Sequence, residues 1–309
     1  MPVTHTFEPT VYYTAIGPHP PALHIEPGDT VVTSTVCSGG MDRHGAQVTP
    51  GGNPQTGPFY IEGAEPGDVI AVRFDRVVPN RPFGRTNTML APNVVDPGFV
   101  HELPADRGGG VWQVDTDAWT ATLVEPETPL GRFTTVLEPM MGCFGVAPAR
   151  GQSISCATSG PHGGNMDYRG FKEGVTMYLP VFVPGALFQL GDGHALQGDG
   201  EIVGTGIEIS MDVTFSAWIH RKQQPINWPR AENDEFIMAA GNARPLDQAV
   251  QHATTELLRW MTEDYALDYR AASTLLGQCI RYEVGNVFDP AYTMIAKVEK
   301  RLLEPYRKG

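Results

Sequence analysis

The chain has 309 residues, 41% of them apolar, and a formal charge of −13 from 22 basic and 35 acidic side chains. That length allows about two domains of roughly 150 residues each, or one large β architecture with a sizeable core. The charge argues against nucleic acid, whose phosphates are met by clustered Lys and Arg. The densest basic stretch, Lys297 to Lys308, is itself interrupted by Glu299 and Glu304.

An acidic surface suits a small neutral or cationic ligand and could also hold divalent cations. Thirty-five glycines and 27 prolines point to many tight turns and short strands, while the apolar content argues against disorder. The N-terminus lacks a basic segment followed by an apolar one, and no apolar run approaches membrane-spanning length. Four scattered cysteines (Cys37, Cys143, Cys156, Cys279) form no C-x-x-C pair. These features lead us to expect a reduced, cytoplasmic protein with packed thiols.

In chain order, the first 220 or so residues read as β. Glu26-Pro27-Gly28-Asp29 precedes Thr30-Val31-Val32, and Glu65-Pro66-Gly67-Asp68 precedes Val69-Ile70-Ala71-Val72. Each is a type II turn that launches a β-branched strand, with proline fixing φ and glycine supplying the positive φ. The run Met177 to Val183 reads as a strand that Pro180 confines to an edge or a bulge. The clearest strand is Ile207 to Phe215, where apolar and polar residues alternate. Behind Pro245, Leu246, Val250, Ala253, Leu257 and Met261 fall at helical spacing and predict a helix of about four turns. Asp268 can cap a second helix whose inner face is Ala272, Leu275, Leu276, Cys279 and Ile280. A short apolar stretch at 284–288 and a helix over 292–303 end the chain.

The expected fold is therefore mainly β with a C-terminal α/β portion: a β-sandwich or barrel-like body, with helices concentrated after about residue 245. The expected domains are 1–228, carrying the site, and 229–309, packed on it, with the polar segment 221–234 as the boundary.

Four segments carry candidate chemistry. In Gly191-Asp192-Gly193-His194, an extended backbone would project Asp192 and His194 to the same side, and a carboxylate with an imidazole suits Zn²⁺ or a similar ion. The plainer reading is a Gly-Asp turn with a surface histidine. In His162-Gly163-Gly164-Asn165-Met166-Asp167, a glycine-softened loop could offer imidazole, oxygen ligands and N–H donors for an oxyanion, or be an Asx-type turn. The segment Asn53 to Asp68 is mainly turn chemistry, with Glu62 and Glu65 as its useful titrating groups. Cys37, in Thr35-Val36-Cys37-Ser38, could be a nucleophile or a soft ligand, or a small buried thiol.

Four passages in order are similar to the acetamidase/formamidase family: Asn53 to Asp68, Gly145 to Ala149 (GVAPA), His162 to Asp167 (HGGNMD), and Leu179 to Glu208. The resemblance implies an amidohydrolase that splits short linear amides into carboxylate and ammonia. It also implies a divalent metal, zinc with calcium as a second candidate, and a homo-oligomer, a dimer or larger. Similar sequences often carry an aspartate near position 37, in a pattern like T-x-D-A, where this chain has Cys37; a thiolate there would favour zinc.

The expected metal ligands are Asp192 and His194, with Asn165, Asp167 or Cys37 completing the set. Glu65 or Glu208 is the expected general base and acid, although Glu208 lies opposite the apolar face of its strand. His162 would orient the amide or donate to the oxyanion, with Gly163 and Gly164 against the substrate. Other readings are a β-sandwich that binds a metal or small ligand without turnover, and a lactam hydrolase on the same scaffold.

Overall fold

The computed structural model describes residues 1–221 and 225–308. Among these residues, two open sheets face each other across one core. The first sheet has nine strands: Thr4–Thr6, Thr30–Ser34, Met211–His220, Val69–Pro79, Thr176–Pro180, Arg230–Glu232, Phe236–Ala243, Tyr292–Glu299 and Arg281–Asn286, edge to edge. The second has eleven, and its centre builds the site: Phe83–Asn87, Glu208–Ile209, Phe188–His194, Met140–Gly145 and Gly163–Asn165 lie side by side, and Gln55–Ile61 also pairs with Phe188–His194.

Aromatic rings close the space between the sheets. Phe59 and Phe188 of the second meet Phe215 of the first at 5.0 and 5.4 Å, and Phe74 meets Phe144 at 5.2 Å. Such edge-to-face pairs add about 0.5–1.5 kcal/mol each beyond burial.

Both Pro-Gly turns form as predicted. Gly28 and Gly67 each have φ of 98°, and the amides of Asp29 and Asp68 return to the carbonyls of Glu26 and Glu65 at 3.0 Å. The alternating run at 207–215 holds one surprise. It is two strands, Glu208–Ile209 in the second sheet and Met211–His220 in the first, and the chain crosses between sheets at Ser210. Pro180 is at the end of an interior strand rather than at an edge, since Thr176–Pro180 pairs on both sides. As the last strand residue, it costs the ladder little.

Helix α1, Leu246–Asp264, is longer than the spacing predicted. Its inner face packs on the strands Phe236–Ala243 and Tyr292–Glu299. Arg230, 1% exposed, pairs from the sheet with Glu256 of α1 at 2.7 Å and with Glu263 at 2.9 Å, tying the helix down. Helix α2, Tyr269–Cys279, is capped by Asp268, whose side chain accepts the amide of Ala271 at 2.8 Å.

The expected helix over 292–303 is instead the strand Tyr292–Glu299 followed by one short turn, α3, Lys300–Leu303. All but the first residue of that strand are buried, because helices cover one face and the core the other. A run buried on both faces loses the period-two signal and reads like a buried helix. The first sheet runs unbroken across residue 228, through the pairing of Arg230–Glu232 with Thr176–Pro180. Of the expected boundary segment, residues 222–224 lie outside the described residues.

Candidate metal and catalytic site

Strand Phe188–His194 is buried along its whole length. Its neighbour Glu208–Ile209 sets Glu208 directly opposite His194. On the other side, Met141 pairs with Gly193 and Cys143 with Gly191, so Gly142 faces Asp192. Gly142 also receives the next carboxylate: its carbonyl accepts the amides of Met166 and Asp167 at 3.0 and 3.1 Å. A Cβ at position 142 would lie 2.3 Å from Asp167 Oδ1 and 2.9 Å from Asp192 Oδ2. The lack of a side chain there is what lets two carboxylates meet.

Asp192, His194 and Glu208 each place one ligand atom within 4.8 Å of the others, and so do Asp167, His194 and Glu201. His194 Nε2 stands 2.9 Å from Glu208 Oε1 and 3.4 Å from Asp192 Oδ1, yet has no aligned hydrogen-bond partner. Its Nδ1 is 2.8 Å from Gln197 Oε1. Gln197 donates its amide N–H groups to the carbonyls of Asp167 and Gly285, so its oxygen is the acceptor for His194. Nδ1 thus carries a hydrogen, and Nε2 offers a lone pair to a cation that displaces its proton.

Asparagines hold the surrounding shell. Asn53 Nδ2 reaches Asn165 Oδ1 at 2.8 Å and Asp192 Oδ2 at 2.9 Å. Asn286 Nδ2 reaches Asp167 Oδ2 at 2.9 Å, Glu201 Oε2 at 2.7 Å and Asp289 Oδ2 at 3.0 Å, and Asn165 Nδ2 meets Asp289 Oδ2 at 2.6 Å. Asn53, Asp167, Asp192 and Glu201 have φ of 62°, 44°, 58° and 50°. Left-handed backbone at non-glycine residues costs on the order of 1–3 kcal/mol each and clusters where geometry serves function. Asp192 and His194 stand two apart on one strand, with the register across Gly191 and Gly193 unbroken and left-handed backbone at Asp192 itself.

The electrostatics are dominated by burial. It raises the carboxyl pKa values of Asp167 and Glu201 well above the ordinary range, raises Glu208, and moves Asp289 up to about 7. Neighbouring carboxylates add to each of these shifts. Burial alone would lower His194, but the charges of Glu208 and Asp192 win and raise it well above 6.5. Asp192 is the exception: burial pushes it up, but His194 and the hydrogen bond from Asn53 help bring it below the ordinary carboxylate value.

These residues fit a divalent cation. The donors are imidazole and carboxylate, the set that zinc and similar ions take. Asp167 Oδ1 and His194 Nε2 are buried without hydrogen-bond partners. Asp167, Asp192, Glu201, Glu208 and Asp289 surround one imidazole, and a buried excess of carboxyl groups is neutralised only by protons or a cation.

The other expected site residues lie as follows. Asn165 borders the cluster through Asn53 and Asp289. Cys37 is buried at 2% exposure, outside both ligand groups, and it is the next residue, Ser38, whose hydroxyl donates to Glu208 Oε2 at 2.5 Å. Glu65 is exposed at the start of its Pro-Gly turn and is not brought to the cluster. Gly163 and Gly164 are buried in the strand beside Met140–Gly145. A Cβ there would collide with the carbonyls of Phe144 and Thr158, so close backbone approach accounts for both.

His162 sits in the turn between Ser159–Gly160 and Gly163–Asn165, 2% exposed, with both ring nitrogens unpartnered. Burial is the one cause that lowers its pKa, to about 4, and no charge of the cluster acts on it. Folded His162 thus binds its proton more weakly than the unfolded chain, near 6.5. Its contribution is fully present above that value and lost as pH falls through about 4, a loss of about 3 kcal/mol. His162→Gln should flatten the fall in urea midpoint between pH 6.5 and 4.5 relative to the unsubstituted protein; parallel curves would contradict this.

Asn53, Gln197, Glu201, Asn286 and Asp289 were not anticipated. Glu201 and Gln197 lay inside the singled-out glycine-rich passage, and Asn53 opened another, but nothing local marked them as inward-facing. Asn286 and Asp289 form an Asx turn, with the Asn286 side-chain oxygen accepting the amides of Phe288 and Asp289. The spacing Asn-x-x-Asp-Pro was its sequence signal.

A mostly β chain with a buried, cation-ready carboxylate–imidazole cluster is the class of protein that fold and site define. The model for the Acetamidase/Formamidase family matches residues 150–252. A crystal structure of acetamidase from Yersinia enterocolitica is 34% identical, with 98% of this chain and 93% of that one covered and a TM-score of 0.83. A crystal structure of acetamidase from Bacillus halodurans is 27% identical, with 98% and 99% covered and a TM-score of 0.81. The acetamidase of Mycolicibacterium smegmatis is 27% identical over 201 residues, 48% of each chain. The chain spans about half the length of the curated relatives that match it over 200 residues or more. It belongs to the acetamidase/formamidase family. No described helix is long and apolar enough to cross a membrane.

Proposed function

We propose that this protein hydrolyses short linear amides to a carboxylate and ammonia, using a divalent cation, zinc first, held by Asp192 and His194 with Asp167 and Asn165 beside them. The observation that carries this reading is the convergence of Asp192, His194 and Glu208, all buried, with one ligand atom of each within 4.8 Å of the others; the names of the relatives support it. We include in the proposal a cytoplasmic homo-oligomer.

An amide resists hydrolysis because resonance strengthens its C–N bond and ammonia leaves poorly. A divalent ion bound here supplies Lewis-acid polarisation of the carbonyl and acidifies water. Glu208 accepts the proton of the attacking water at Oε1 and returns it to the amide nitrogen as the C–N bond breaks. Burial raises the proton affinity of this carboxyl, while the Ser38 hydroxyl at Oε2 and His194 moderate it. That balance suits a group that must both take and give a proton near neutrality. Gln197 holds the His194 ring in one tautomer, and Asn53 steadies Asp192.

The test is metal removal. Dialysis against a strong chelator should abolish ammonia release from formamide, acetamide and propionamide, and added Zn²⁺ should restore it. Full activity in protein shown by elemental analysis to be metal-free would refute the metal mechanism.

A further inference from the structure

Glu208 and Arg85 are direct partners across two antiparallel strands, in the same cross-strand row that pairs Glu208 with His194. Directly opposite residues share a face of the sheet with Cβ atoms about 4.5–5.5 Å apart. The row therefore runs His194, Glu208, Arg85, Val111, from the buried cluster outward. At its outer end lies a cavity of about 370 Å³ lined in part by Arg43, Arg81, Arg85, His44 and Val111.

Among the described residues no carboxylate lines this cavity, in a chain whose 35 acidic residues outnumber its 22 basic ones. Arg81, 8% exposed, is anchored from within: Nε donates to the Phe83 carbonyl at 2.8 Å and Nη2 to the Glu208 carbonyl at 3.4 Å. Arg43 is turned towards Asp212 at 3.4 Å. The Arg85 side chain is exposed and has no hydrogen-bond or ion-pair partner among the described residues. An unpaired guanidinium is a planar fork suited to a carboxylate.

We infer that this cavity takes the far end of the substrate, and that the preferred amides carry a carboxylate at the end of a short acyl chain. The inference rests on the amide-hydrolase reading and adds the substrate class. With the amide carbonyl at the cluster beside Glu208, the distal carboxylate reaches Arg85 one strand away. Neutral amides of the same length leave the arginine unsatisfied.

The experiment compares succinamate with butyramide, which differ in the terminal carboxylate. The unsubstituted protein should show a kcat/KM for succinamate at least about tenfold above that for butyramide, and Arg85→Gln should cut that ratio by about tenfold or more, while Arg85→Lys keeps part of it. A ratio near one, or a ratio unmoved by Arg85→Gln, overturns the inference. If neither amide releases ammonia, the hydrolase reading fails, and calorimetry decides this one separately. Succinamate binding weakened at least about tenfold in Arg85→Gln upholds the basic subsite, and absent or equal binding overturns it.

Discussion

Glu208→Gln should lower kcat for amide hydrolysis by about 10²–10⁴ while leaving bound metal in place. The substitution keeps the volume of the side chain and leaves an oxygen for the Ser38 hydroxyl, which donates to Oε2 in the native chain. It removes the one feature the mechanism needs, an atom that can take a proton and give it back. Asp192 and His194 keep their donor atoms, so elemental analysis should return the same metal content. The pH profile supplies an independent check. A general base works when deprotonated, so the rate of the unsubstituted protein should fall as pH drops through the Glu208 pKa. Burial places that limb above the ordinary glutamate value of 4.5, and the residual activity of the variant should lack it. Unchanged kcat would assign the proton to another group. Lost metal would make Glu208 a ligand instead of the base.

Gly142→Ala should weaken metal affinity by about 10–100-fold, as large an effect as removing a group that orients a ligand. The added methyl would stand 2.3 Å from Asp167 Oδ1, 2.9 Å from Asp192 Oδ2 and 3.0 Å from the Asp192 carbonyl. Those distances are far inside van der Waals contact, so the two carboxylates must separate. Gly142 is not among the glycines with positive φ, so its own backbone conformation suits alanine, and the harm falls on the two carboxylates and on the Asp192 carbonyl beside them. The extra thermal stability conferred by metal should shrink in step, by about 1.4–2.7 kcal/mol. Titration with Zn²⁺ after chelation measures the affinity; an undiminished affinity would mean that Asp167 and Asp192 do not act together on the ion.

Both variants probe contacts that span the chain. Asp192 and His194 were legible because a carboxylate and an imidazole stood among glycines at the end of an apolar strand. Asp167 and Asn165 were legible as a polar loop, but the approach of Asp167 to Asp192 depends on Gly142, which carries no chemical signal. The two glutamates separate the cases further. Glu65 and Glu208 were equally eligible by residue type, yet one sits on an exposed turn and the other is drawn inward where the chain changes sheets at Ser210. The worry that Glu208 faces away from its strand's apolar side dissolves for that reason: the apparent single strand is two, in different sheets.

By itself, the sequence determined the local structure. Proline and glycine placed the turns, alternation over 207–215 marked strand there though not its division between two sheets, and helical spacing with Asp268 placed α1 and α2, because these signals act over a few residues. Only the tertiary structure decided which polar groups share a pocket. Register across neighbouring strands joined Glu208 to His194 and Arg85, and close packing at Gly142 joined Asp167 to Asp192, each over long separations in the chain. It also decided that Tyr292–Glu299 is a strand, since burial on both faces erases the alternation by which a strand is read.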